Sequence, residues 1–104
     1  MSAADLHAER QGDALRLSGR LDFGNAAAAL VTVRRALEQG VTQLDLAGLS
    51  HADSAALACL LAWRASAAEA GRALRLLAIP EGLRALAQVS DVLGLLDPAS
   101  TAAG

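Results

Sequence analysis

The run TQLDLAGLSHADSAALACLLAWRASAAEAG, residues 42–71, constrains this chain more than any other stretch. From Thr42 to Ala47 the apolar residues alternate. Leu44 and Leu46 fall on one face, and Gln43, Asp45 and Ala47 on the other, the period of a half-covered strand. Gly48, Ser50 and Asp53 then mark a turn. Asp53 has the chemistry of an N-cap, since its carboxylate accepts from the free N–H groups of a first helical turn. Ser54 to Ala70 holds no Pro or Gly and is rich in Ala, so it reads as a helix roughly 25 Å long. Gly71 stops it in the left-handed conformation.

The flanks supply the remaining elements. Leu6–Arg10 and Ala14–Ser18 predict a hairpin around Gln11-Gly12-Asp13, with Leu15 and Leu17 on one face. Gly19–Gly24 reads as a loop and Asn25 as a second N-cap. Ala26–Gln39 follows as a helix whose core stripe is Leu30, Val33 and Leu37, closed by Gly40. Ala73–Ile79 reads as a strand, with Leu74, Leu76 and Ala78 on one side. Pro80 breaks it, and Glu81–Val89 forms a short helix with Leu83, Leu86 and Ala87 inward. Leu93, Leu95 and Leu96 are expected to cover the end of the core, and Asp97–Gly104 to fray. Strands joined through helices lie parallel with right-handed crossovers. The expected fold is α/β: a small mixed sheet with an antiparallel N-terminal hairpin, parallel βα units and helices packed on the sheet.

At 104 residues the chain is expected to form a single domain over residues 1–104. A net charge of −2 gives no electrostatic case for nucleic acid or an anionic membrane. The N-terminus lacks the pattern of a signal peptide, and the longest apolar run, Ala55–Trp63, is about half of what a membrane span needs. The chain is therefore read as cytoplasmic, without direct membrane insertion.

His51, Asp53 and Ser54 invite a hydrolase reading. A serine nucleophile needs a base within reach and an oxyanion site, and the G-x-S-x-G elbow is absent. The plainer reading is that Asp53 caps, Ser54 opens the helix and His51 is a solvated loop residue. His7, His51 and Cys59 stand at no paired metal-ligand spacing, and no Gly-rich loop cradles phosphate. No metal or cofactor is expected. Phe23 and Trp63 are too few aromatics for base stacking. A phosphate on Ser54 would sit at the positive end of a long helix, beside the repelling charge of Asp53.

LDLAGLSHADSAALACLLAW followed by GRALRLLAIPEGLRALAQVSDVLGLL resembles a STAS domain from about Leu15 to Leu96. In that family a D-S/T-x-G-L motif opens the second helix, and here it stands as Asp53-Ser54-Ala55-Ala56-Leu57. Ala56 replaces the usual Gly and leaves less room for close approach. The short length, LACLLAWRASA and IPEGLRALAQ look more like the small STAS subunit of the Mla-type phospholipid ABC transporter. That resemblance implies a non-enzymatic subunit that binds and regulates the transporter's cytoplasmic ATPase subunit, peripheral to the inner membrane through it. The alternative it implies is an anti-sigma-factor antagonist switched by phosphorylation of Ser54, with an anti-sigma factor or kinase as partner. A small hydrolase using Ser54 and His51 is the outsider.

On a wheel of the central helix, Leu57, Leu60 and Leu61 fall together and are assigned to the core, with the stem of Arg64 among them. Ala55, Cys59, Ala62 and Ser66 lie nearly opposite, with Trp63 beside them. A flat strip of small residues admits a close partner, and Trp is an enriched hot-spot residue. The expected partner surface is thus His51, Asp53, Ser54, Ala55, Cys59, Ala62, Trp63 and Ser66.

Overall fold

The computed structural model describes residues 2–3 and 5–89. Leu93, Leu95, Leu96 and the 97–104 tail lie outside the described residues. Among the described residues, five strands form one sheet: β1 (Ser2–Ala3), β2 (Leu6–Gln11), β3 (Ala14–Leu21), β4 (Gln43–Ala52) and β5 (Arg75–Leu77), neighbouring one another in that order. β1, β2 and β3 pair antiparallel, while β3, β4 and β5 pair parallel. The helices of the described residues, α1 (Ala26–Glu38), α2 (Ser54–Glu69) and α3 (Glu81–Val89), alternate with the parallel strands. This is the mixed α/β sheet that the alternation and the helical stripes predict. The two-residue β1 was not anticipated.

The hairpin turns at Gly12, whose φ of 62° is the left-handed value the loop requires. Leu6, Leu15, Leu17, Leu44, Leu46 and Leu76 are buried under the helices, whereas His7, Glu9, Arg16 and Arg75 on the other face are exposed. The helices therefore cover one face of the sheet, and the charged face meets water.

Two strands run further than their alternation implied. β3 reaches Leu21 and β4 reaches Ala52, and the register between them shifts at Arg16/Ser18 and again at Gly19/Arg20. Gly48 permits this. A Cβ there would lie 2.8 Å from the Ser18 Cβ and 2.9 Å from the Leu17 carbonyl oxygen. His51 consequently sits on a strand, opposite Arg20, rather than in a free loop. β5 is shorter than predicted, because Ala78 turns to φ 56° and is exposed instead of pointing inward.

Asp53 caps α2 as expected, its Oδ1 accepting from the N–H groups of Ala55 (2.9 Å) and Ala56 (3.3 Å). Asn25 occupies the N-cap position of α1 but makes no cap bond with its side chain. Its Nδ2 donates instead to the Arg20 carbonyl at 2.8 Å, and its Oδ1 accepts from the Asp22 N–H at 3.0 Å. α1 buries Ala29, Val33, Ala36 and Leu37, with Leu30 half-buried. α3 buries Leu83 and Ala87, with Leu86 half-buried. At the far end of α1, Arg72 donates from Nη1 to the Leu37 carbonyl at 2.6 Å, a cation on the last turn of the helix.

The wheel of α2 is the main correction. Ala55, Ala56, Leu57, Cys59, Leu60, Trp63 and Ala67 are buried, and Leu61 is only half-buried. At 100° per residue the buried arc is turned by about 90° from the one assigned by the leucines. Ala55, Cys59 and Trp63, expected on the outer face, lie inside. The reason is the neighbour on that side. α1 packs along α2, and the small residues let the two helices approach closely. Cys59 Sγ lies 3.9 Å from the Ala26 carbonyl oxygen, and Trp63 Nε1 donates to the Leu30 carbonyl at 3.4 Å. The small-residue strip does admit a close partner, and that partner is a helix of the same chain. The exposed positions of α2 are Ser54, Ala58, Ala65, Ala68 and Glu69.

Candidate functional site

The parallel strands β3, β4 and β5 all end at one edge of the sheet, so the loops that follow them converge there. Ser54 opens α2 with its side chain exposed, and its hydroxyl takes no part in the capping bonds. Asp53, half-buried, spends Oδ1 on the cap and uses Oδ2 to accept from the Phe23 N–H at 3.3 Å. One carboxylate thereby ties the β3–α1 loop to the start of α2.

That loop is closely organised. Asp22 Oδ1 accepts from the Gly24 N–H at 2.9 Å, and Asp22 Oδ2 forms an ion pair with Arg20 Nη2 at 2.7 Å. The hydrogen bond from the Arg20 guanidinium, helped by the Gly24 N–H and the nearby Arg20 and His51 charges, holds the Asp22 carboxyl below its usual value against some desolvation. Phe23, between these anchors, is 77% exposed. His51 is also exposed, and with Leu49, Ser50, Pro80, Gly82 and Leu83 it lines a shallow cleft of about 250 Å³ between β4 and α3.

The predicted site residues separate into two groups. His51, Asp53 and Ser54 meet at this edge. Ala62 and Ser66 are half-buried further along α2. Ala55, Cys59 and Trp63 belong to the core and cannot present themselves to a second protein. No hydrogen bond joins His51 to Ser54 among the described residues, and both Asp53 oxygens accept from backbone N–H groups. The geometry that activates a serine is thus not assembled here. Burial, with the nearby Asp53 charge, pushes the Cys59 thiol up to about 11, so it is a neutral core side chain near neutral pH. No group of three or more His, Cys, Asp or Glu able to hold a metal occurs among the described residues. Among them, too, no helix is long and apolar enough to cross a membrane.

From its sequence the stretch Gly19–Gly24 reads as a plain connection, with nothing in Phe23 itself to mark an exposed ring on an ordered loop. The signal was present in Asp22 and Asn25, two side chains that fold back on their own backbone in turns.

Residues 4–97 match the family model described as Mlab, STAS domain. Among solved structures, the anti-sigma factor antagonist SpoIIAA in its unphosphorylated form superposes with a TM-score of 0.67 at 20% identity, over 88% of this chain and 85% of that one. The Bacillus cell fate determinant SpoIIAA in its phosphorylated form gives 0.64 at 17% identity, over 88% of each chain. At these identities the likeness is one of fold. No curated protein matches the sequence.

Proposed function

The chain belongs to the Mlab-type STAS domain family, and from that premise we propose that it is the non-enzymatic subunit that binds and regulates the cytoplasmic ATPase of a phospholipid-trafficking ABC transporter. The observation that carries this reading is the match of the family model over residues 4–97. Under it the chain works by contact alone. The partner docks at the carboxyl edge of the parallel strands, over His51, Asp53 and Ser54, and continues along the exposed side of α2 past Ala58, Ala62 and Ser66. The half-buried and exposed alanines there offer a surface with little side chain to desolvate or immobilise. Association with the inner membrane would come through the partner.

A second reading is favoured by one feature. The exposed Ser54 hydroxyl stands at the N-terminus of a 16-residue helix, where a phosphate would meet favourable N–H groups and dipole. SpoIIAA, an anti-sigma factor antagonist of similar fold, is known in phosphorylated and unphosphorylated forms. An antagonist switched at Ser54 would use the same surface with a kinase or anti-sigma factor.

Purification of the chain from its own cells, with mass-spectrometric identification of what accompanies it, separates the two. The ABC ATPase subunit is expected in stoichiometric amount, and its ATP hydrolysis should change when the purified chain is added. Recovery of an anti-sigma kinase instead, with Ser54 phosphorylated by ATP, would replace the first reading by the second.

A further inference from the structure

The chain has two aromatic residues, one Trp and one Phe. Trp63 is fully buried, and Phe23 is 77% exposed. A single exposed apolar side chain is ordinary on a soluble protein. The construction beneath this one is not. Asn25, only 4% exposed, is bonded through its side chain to the Arg20 carbonyl and the Asp22 N–H. The Asp22 carboxylate holds the Gly24 N–H and the Arg20 guanidinium, and the Asp53 carboxylate holds the Phe23 N–H itself. The backbone on both sides of the ring is fixed, yet the ring touches little of its own chain. An exposed aromatic on an ordered backbone gains nothing for the fold, but its loop loses little entropy on meeting a partner.

The surroundings state the partner's chemistry. Asp5, Arg20, Asp22, Gly24 and Asn25 line a recess of about 160 Å³ beside the Phe23 loop. Asp22 pairs with the Arg20 guanidinium, which leaves the exposed Asp5 carboxylate of the recess and the Asp53 carboxylate under the loop as surplus negative charge around Phe23. We propose that Phe23 is the anchor of the partner interface, entering an apolar socket on the docking protein whose rim is basic and faces Asp5. The proposal rests on the reading that a protein docks at the Ser54 edge, and it adds the side chain that seats it.

The test titrates the parent chain and Phe23→Ala against two purified proteins, the transporter ATPase subunit and the anti-sigma kinase of the same cell. Phe23→Ala should keep the parent's thermal melt, because the ring is exposed, and should bind at least tenfold more weakly to whichever protein the parent binds. Phe23→Leu, which keeps an apolar plug, should recover much of the loss. Asp5→Asn, which retains a residue at ease with the left-handed backbone at that position (φ 67°), should slow association a few-fold at low salt and little at high salt. Equal binding by Phe23→Ala and parent would overturn the anchor while leaving the docking reading intact. A tenfold loss seen only with the kinase would keep the anchor and remove the transporter reading. An association rate unchanged by Asp5→Asn would remove the basic rim, and a parent that binds neither protein would overturn both ideas.

Discussion

The indole Nε1 of Trp63 on α2 donates to the carbonyl oxygen of Leu30 on α1 across 3.4 Å. This contact defines how the two helices meet. The Leu30 carbonyl already serves the helical ladder, and the indole satisfies its own donor there while the ring fills the core at 0% exposure.

Trp63→Ala should therefore destabilise the fold by about 3–5 kcal/mol, the range for truncating a buried aromatic. Chemical denaturation measures it. Trp63→Phe should recover most of the packing and leave partner affinity untouched at temperatures where it is folded. A Trp63 variant that keeps its stability and loses only partner binding would contradict the core placement.

Cys59 has an unusually clean alkaline signature. The chain contains no Lys and no Tyr, so Cys59 is its one side chain titrating between pH 8 and 11. Its folded pKa is raised to about 11 by burial, above an unfolded value of about 8.5. The sign follows. The contribution is complete below about pH 8.5 and is lost as pH rises toward the folded value, because the unfolded chain deprotonates first. Stability measured from pH 8 to 11 should fall for the parent and stay level for Cys59→Ala. The native thiol should also resist a disulfide reagent at pH 8 until the chain is unfolded.

Gly19 and Gly48 hold β3 against its neighbours. Gly19 lies at φ 95°, and a Cβ there would collide with the Asp5 carbonyl oxygen. A Cβ on Gly48 would lie 2.8 Å from the Ser18 Cβ. Both obstacles are short and close to the backbone, so relief requires moving strands. Gly19→Ala and Gly48→Ala should each lower stability by about 1–3 kcal/mol. Gly71→Ala, also at positive φ (73°) but with open space around it, should cost about 1 kcal/mol through backbone strain alone. Equal effects at all three would show that crowding plays no part.

Asp53→Asn separates the two duties of one carboxylate. An amide oxygen still caps α2, so stability should change by only a few tenths of a kcal/mol. The amide nitrogen cannot accept from the Phe23 N–H. Hydrogen exchange at the Phe23 amide should accelerate, with the first turn of α2 still protected. Asp53→Ala should lose both and cost about 1 kcal/mol or more.

Charge at Ser54 should act on binding rather than folding. Ser54→Asp and Ser54→Glu should weaken the partner complex more than Ser54→Ala, since the exposed hydroxyl lies in the proposed interface. Ala58→Arg, on the exposed side of α2, should do the same with an unchanged melt. Calorimetry yielding one affinity for all four would place the interface elsewhere.

Local signals carried much of this structure. The alternation of Leu15/Leu17, Leu44/Leu46 and Leu74/Leu76 placed three strands, and Asp53 and Gly71 marked the ends of α2. Each of these is decided within a few residues, by side-chain period, by a carboxylate meeting free N–H groups, or by one backbone angle. The Asp53–Ser54 edge was legible for the same reason.

The facing of α2 was not, and with it Ala55, Cys59 and Trp63, three of the eight residues of the expected partner surface. Leu57, Leu60 and Leu61 share this helix with small apolar residues on the other side, so nearly every direction is compatible with burial. Which side met the sheet, which met α1 and which met water depended on neighbours distant in sequence. Ala55 and Cys59 went inward because α1 comes close enough to exclude water, and Trp63 filled the space between the two helices. The extension of β4 to Ala52 depended in the same way on Gly48 meeting Ser18, thirty residues earlier. The sequence alone determined the order of the three helices and of the main strands and how α2 is capped by Asp53, because those choices are local. Only the tertiary structure decided that Trp63 is core and Phe23 is surface. Both are large aromatics, and the difference between them lies in which other elements surround each ring.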